Sequence, residues 1–177
     1  MTESVKAELL HSTRFLDLAQ TEGWIFVRRP NARAVVCVLA LTPEGKVVLV
    51  EQFRKPIGAR LIELPAGLVG DGEDAEEGLE RAADRELVEE SGWKAGRYEL
   101  LWEGPSSAGL SDEIITCFRA HGLTKVGDGG GVDGEDILVH EVPLAELRTW
   151  LSGRLADGIG VDPKIYAALW SAGILAS

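Results

Sequence analysis

The sequence predicts an α+β domain in which a mixed β-sheet is sandwiched between α-helices. Three features predict it. Residues 35–41 form an unbroken apolar, β-rich run, as expected of a strand covered on both faces. Leu79, Ala83 and Leu87 recur at every fourth position, the apolar stripe of an amphipathic helix. Strand-like and helix-like segments then follow in mixed order to the end of the chain.

In chain order, residues 12–29 alternate around a Thr-Glu-Gly break and predict a short N-terminal hairpin. The strand at 35–41 is followed by a turn at Thr42-Pro43-Glu44-Gly45 and a returning strand over 47–50. Residues 60–64 give another strand, ended by Pro65. The strong helix spans 75–91 and stops at Gly92. Strands are expected at 97–103, 113–120 and 137–142, with a glycine-rich loop over 127–134. A short helix is expected at 143–151, and Asp162-Pro163 caps a last one running to about residue 172. The expected organisation is a hairpin region, residues 1–30, followed by the main domain, residues 31–177.

Composition narrows the function classes. The 177 residues fit one domain, and 45% of them are apolar, enough for a sizeable core. A net charge of −11 disfavours binding to nucleic acid or to an anionic membrane. An acidic chain acting on a phosphorylated ligand needs cations to mask its charge. Cys37 and Cys117 lie far apart in apolar runs and are read as buried thiols. Residues 1–19 mix acids, bases and apolar residues, and no apolar run reaches the length of about 18 residues that spans a membrane. A cytoplasmic protein is expected.

The chemistry concentrates in residues 77–93, EGLERAADRELVEESGW. At about 100° per residue, Glu86 and Glu90 stack on one helix face, with Glu89 one turn from Glu86. Like charges so spaced destabilise an isolated helix by roughly a few tenths of a kcal/mol per pair. Either the face is solvated or a cation compensates. Mg²⁺ suits the second case, taking carboxylate oxygens together with water and phosphate oxygens. Arg85 would hold one of the carboxylates in place.

This segment resembles the signature box of the Nudix hydrolase family, G-x5-E-x7-R-E-U-x-E-E-x-G-U, where U is bulky and apolar. The match is complete from Glu77 through Arg85, Glu86, Glu89, Glu90 and Gly92 to Trp93. Upstream it departs: nine residues separate Gly67 from Glu77, so a four-residue insertion is placed between Gly70 and Ala75. Glu73 is the rival for the first glutamate. The resemblance implies a Nudix fold and Mg²⁺, with Mn²⁺ as a substitute. It implies Glu86, Glu90 and Glu89 as metal ligands, Glu77 and Arg85 as support, and the backbone carbonyl of Ala66 as a further ligand.

The surroundings resemble the ADP-ribose and nucleotide-sugar pyrophosphatase branch. The run VVLVEQFRKPIGARLIELPAGL, residues 47–68, would bring Arg54 to the diphosphate. SAGLSDE, residues 107–113, resembles the Ser-Pro-Gly-x-x-Asp-Glu segment of that branch, with alanine in place of proline, and makes Glu113 a substrate contact. Gly134-Glu135-Asp136-Ile137 resembles its catalytic loop, with Glu135 the first choice of general base and Asp133 and Glu89 its rivals. Trp24 would stack on a base, or sit in the core or a dimer interface. The resemblance thus implies hydrolysis of a nucleoside diphosphate sugar, ADP-ribose foremost, by a homodimer. The alternatives are a nucleoside triphosphate pyrophosphohydrolase and a regulatory domain that binds without turnover. Gly129-x-Gly131-x-x-Gly134 opens onto acids and a strand, so it is no dinucleotide fingerprint. His11, His121 and His140 form no metal or triad pattern.

Overall fold

The computed structural model describes residues 7–70, 76–132 and 134–174. The chain begins with a three-stranded antiparallel sheet, β1 (Glu8–Ser12), β2 (Asp17–Thr21) and β3 (Trp24–Arg28). The β2–β3 hairpin turns at Glu22-Gly23, the break seen in the sequence, with both residues at positive φ. β1 had no counterpart among the expected elements.

The main body consists of β4 (Ala34–Ala40), β5 (Lys46–Arg54), β6 (Ala59–Glu63), β7 (Ala66–Val69), α1 (Leu79–Ser91), β8 (Trp93–Lys94), β9 (Arg97–Pro105), β10 (Ile114–His121), β11 (Thr124–Lys125), β12 (Ile137–Pro143), α2 (Leu147–Ala156), β13 (Gly160–Val161) and α3 (Lys164–Ser171). Two four-stranded sheets carry it, in the orders β7-β4-β10-β9 and β12-β5-β6-β13. Both are mixed: β10 runs parallel to β4, and β13 parallel to β6.

β4 earns its continuous apolar sequence by being covered on both sides. Val36, Val38 and Ala40 pack with Ala82, Ala83 and Leu87 of α1. Cys37 and Leu39 face the other way, into a cluster with Leu151 of α2 and Ile165 and Leu169 of α3. Cys37 and Cys117, distant in sequence, are directly paired across β4 and β10 and fully buried. The hydrogen bond with the neighbouring Cys117 thiol, reinforced by burial, pushes the Cys37 thiol far up, so it stays protonated.

Several expected boundaries move: the strand expected at 47–50 runs from Lys46 to Arg54, and the short helix expected at 143–151 runs from Leu147 to Ala156. α1 begins at Leu79, because Gly78 keeps an extended backbone (φ −74°, ψ 154°); Ala75 lies outside the described residues. After Pro65 a further strand, β7, absent from the expected elements, pairs with β4 from Cys37↔Ala66 to Ala34↔Val69. α3 is capped as expected: the Asp162 carboxylate accepts from the backbone N–H of Lys164 at 2.8 Å. No helix among the described residues is long and apolar enough to cross a membrane.

Candidate active site

The acidic face of α1 is buried against β7. The Glu86 and Glu90 side chains are nearly inaccessible, whereas Glu89 is half-buried. Glu90 accepts a hydrogen bond from the backbone N–H of Ala66 at 2.9 Å. Gly67 stands directly over Glu86: a Cβ there would lie 1.9 Å from Oε1. Only glycine lets the strand approach so closely.

Arg85 organises the acids. Its Nε and Nη2 each donate to Glu77 at 3.1 Å, a two-point pairing, and Nη2 also donates to the Leu68 carbonyl at 3.0 Å. Its Nη1 reaches Glu86 at 2.7 Å and Glu89 at 3.3 Å. The guanidinium holds the Glu77 carboxyl below its ordinary value, and Glu77 in turn holds Arg85 charged. Glu77 thus occupies the supporting position; its rival Glu73 lies outside the described residues. Glu90 behaves oppositely. Burial, reinforced by the charges of Glu86 and Glu135, pushes its carboxyl up to about 8, against the stabilising Ala66 N–H.

The glycine-rich loop does something the sequence did not disclose. Its amides cap the C-terminus of α1: Gly130 N–H donates to the Glu90 carbonyl at 2.9 Å and Gly131 N–H to that of Glu89 at 3.0 Å. Gly129, at φ +72°, lies so close that a Cβ would sit 2.6 Å from the Glu90 carbonyl oxygen. Glu135 follows, its carboxylate accepting from the Val132 N–H at 3.0 Å and close enough to raise Glu90. The glycine pattern was the available signal, since close backbone approach is one of its ordinary causes.

An open cleft of about 370 Å³ passes along this edge, lined by Arg54, Glu63, Ala66, Gly67 and Glu113 among others. Arg54 is 40% exposed, with its Nε held by Glu63 at 2.7 Å. Glu113 lines the same cleft and is engaged by Arg29 at 2.8 Å. The structure therefore brings Ala66, Glu86, Glu89, Glu90, Arg85, Glu135, Arg54 and Glu113 to one region. Trp24 is not among the cleft's lining residues. It is 65% exposed on β3, its indole N–H donating to the Gly109 carbonyl, so the core position also considered for it is excluded. Asp133 lies outside the described residues. A second hollow between α2 and α3, lined by Leu147, Leu151, Tyr166 and Leu169, offers no carboxylate and is set aside.

The acids of α1 sit behind Ala66 and Gly67, which line the cleft, without gathering round one point. Among the described residues no three acidic, histidine or cysteine side chains converge as a cation cage; Glu86 and Glu89 turn to Arg85, and Glu90 to the Ala66 amide. Their chemistry nevertheless suits a hard divalent cation, being all oxygen, with Glu77, Glu86 and Glu89 together carrying more negative charge than Arg85 offsets.

Sequence comparison assigns this mixed-sheet core and its acidic helix to a hydrolytic class. Residues 30–163 match the family described as NUDIX domain, and the chain belongs to that family as one of its pyrophosphohydrolases. It is 32% identical over 163 residues to the ADP-ribose pyrophosphatase of Bacillus subtilis (strain 168), covering 86% of this chain and 84% of the relative. Identity is 36% over 154 residues with a methanol dehydrogenase activator of Bacillus methanolicus, covering 82% and 77%. The GDP-mannose pyrophosphatase of Yersinia pestis (strain Pestoides F) is 35% identical over 186 residues, covering 94% and 91%. A crystal structure of an ADP compounds hydrolase superposes with a TM-score of 0.62 at 16% identity, covering 85% of this chain and 94% of that one, a likeness of fold.

Proposed function

We propose that the protein hydrolyses the diphosphate bridge of a nucleoside diphosphate sugar, with ADP-ribose the first substrate to test and AMP and ribose 5-phosphate the products. The observation that carries this reading is the placement of Glu90. It is a buried carboxyl crowded by Glu86 and Glu135, on the edge of a cleft that also presents Arg54.

In this reading Glu86, Glu89 and Glu90, with the Ala66 carbonyl, hold Mg²⁺, which Mn²⁺ could replace. When bound, the metal neutralises phosphate oxygens and lowers the pKa of water. Arg85 fixes Glu86 and Glu89 through the paired Glu77. Arg54 binds the diphosphate, its Nε held by Glu63 so that the guanidinium is already oriented. Glu135 takes the proton from the attacking water as oxygen bonds to one phosphorus and the bridging oxygen leaves with the other phosphate. Glu113, which lines the cleft, contacts the substrate. Trp24, exposed on the N-terminal sheet, would meet a base or a second copy of the chain in a homodimer.

The test is Mg²⁺-dependent turnover of ADP-ribose, GDP-mannose, UDP-glucose, NADH, coenzyme A and dGTP, with a phosphatase freeing inorganic phosphate from the monoester products. Preference for a nucleotide sugar, abolished by EDTA, is the expected result. Preference for dGTP would replace this reading by a nucleoside triphosphate pyrophosphohydrolase. Glu86→Gln should lower kcat by at least about a hundredfold. A wild-type protein that binds ADP-ribose tightly without turnover would instead be a regulatory domain.

A further inference from the structure

The loop that carries Glu135 is tied down at both ends, and the second tie uses residues that the reaction so far leaves without a role. On its N-terminal side, Gly130 and Gly131 donate to the carbonyls of Glu90 and Glu89. On its C-terminal side, Asp136 is held by Arg60, whose Nη1 donates to the carboxylate at 2.7 Å and Nη2 to the backbone carbonyl at 3.4 Å.

Arg60 is itself fixed from behind. Its Nε donates to the Glu51 carboxylate at 2.6 Å and its Nη2 to the Glu51 carbonyl at 3.1 Å. The other carboxylate oxygen of Glu51 pairs with His140 Nε2 at 3.0 Å. His140 in turn rests against the Trp150 ring of α2, at 5.0 Å between centroids. Glu51 is buried and Asp136 is 73% exposed, so the chain of contacts runs from the core outward to the base of the loop. A rigid planar guanidinium that bridges two carboxylates specifies direction as well as charge.

We infer that Arg60 and Asp136 are positioning residues: through the Glu51–His140 anchor they fix the loop so that Glu135 meets the attacking water. The inference rests on the reading of Glu135 as general base. A misplacement of about 1 Å in such a group can lower turnover by up to about a hundredfold, so the tie should be visible in kcat. Arg60 lies on the side of the β5–β6 hairpin opposite Arg54, and among the described residues its hydrogen bonds run to Glu51 and Asp136, outside the cleft lining, so KM should stay unchanged.

The experiment is a double-mutant cycle on turnover of ADP-ribose with Mg²⁺, with thermal stability recorded for every variant. Asp136→Asn is the safest probe, since the residue is exposed and the change isosteric. It should lower kcat about tenfold with KM and Tm unchanged. Arg60→Lys keeps the charge but cannot bridge both acids, and should behave alike. Neither change should lower kcat further in a Glu135→Gln background. Unchanged kcat in Asp136→Asn and Arg60→Lys, or a loss that persists in full in the Glu135→Gln background, would overturn the positioning role while leaving the base intact. Full activity of Glu135→Gln would remove the general base, and the positioning role with it.

Discussion

The β5–β6 hairpin carries two arginine–glutamate pairs of the same chemistry on opposite faces, and they do different things. Arg54 pairs with Glu63 on the side facing α1, and Glu51 pairs with Arg60 on the side facing α2. In the first the arginine is the exposed member, lining the cleft and left able to meet a ligand. In the second the carboxylate is sealed by His140, and the arginine's remaining donors are committed to Asp136. An ion pair therefore says little by its composition. What it leaves unsatisfied, and on which side of the sheet, decides whether it serves a ligand or the fold.

Three substitutions can break or sharpen that contrast. The largest effect is expected from Gly67→Ala on the cleft face. The new Cβ would collide with the Glu86 carboxylate, which is the end of a flexible side chain and can swing away. Stability should stay within about 1 kcal/mol of the original, while kcat falls roughly a hundredfold because Glu86 is displaced; a matching drop in Tm would place the damage in the fold instead. Arg54→Gln comes next. It should raise KM for the diphosphate substrate about ten- to thirtyfold, the scale of one lost charge-assisted contact, with Tm nearly unchanged. Unaltered KM would remove Arg54 from the substrate site.

Glu51→Gln should do the reverse, with KM retained and stability lowered by about 2 kcal/mol, because Arg60 and His140 lose the shared charge and one of their two acceptor oxygens. It also carries a pH signature. Burial opposes ionisation of Glu51, but the hydrogen bonds from Arg60 and His140 outweigh it, and its carboxyl lies below the ordinary value. A depressed carboxyl stabilises the fold above its unfolded pKa of about 4.3 and loses that contribution as pH falls through the folded value. Denaturation curves below about pH 4 should therefore converge for Glu51→Gln and the original protein.

Much of the fold was legible because its signals are local. The apolar run of β4, the stripe of α1 and its Gly92 stop, and the Asp-Pro cap of α3 each need only a few consecutive residues. The acidic pattern on α1 was legible for the same reason. What escaped depends on pairing between distant segments. β7 was absent from the expected elements because only its partner β4 makes it a strand. The glycines at 129–131 read as a soluble loop until α1 supplies the carbonyls they cap. Glu51, Arg60 and His140 come from three strands, and only their register brings the side chains onto one face. Trp24 was read partly as a core residue because aromatic side chains usually are, yet β3 leaves it exposed.

The parallel pairing of β4 with β10 has a consequence for how the molecule comes into being. β4 can close one edge early, through β7, but its other edge must wait for a strand that arrives much later in the chain. Until then a growing polypeptide presents an apolar strand with unpaired amides and carbonyls, a template for association with other chains. Folding of the central sheet is therefore governed by a non-local closure, slow compared with the winding of α1. Fragments ending before β10 are expected to be sticky, and the whole chain to depend on reaching that strand before meeting a neighbour.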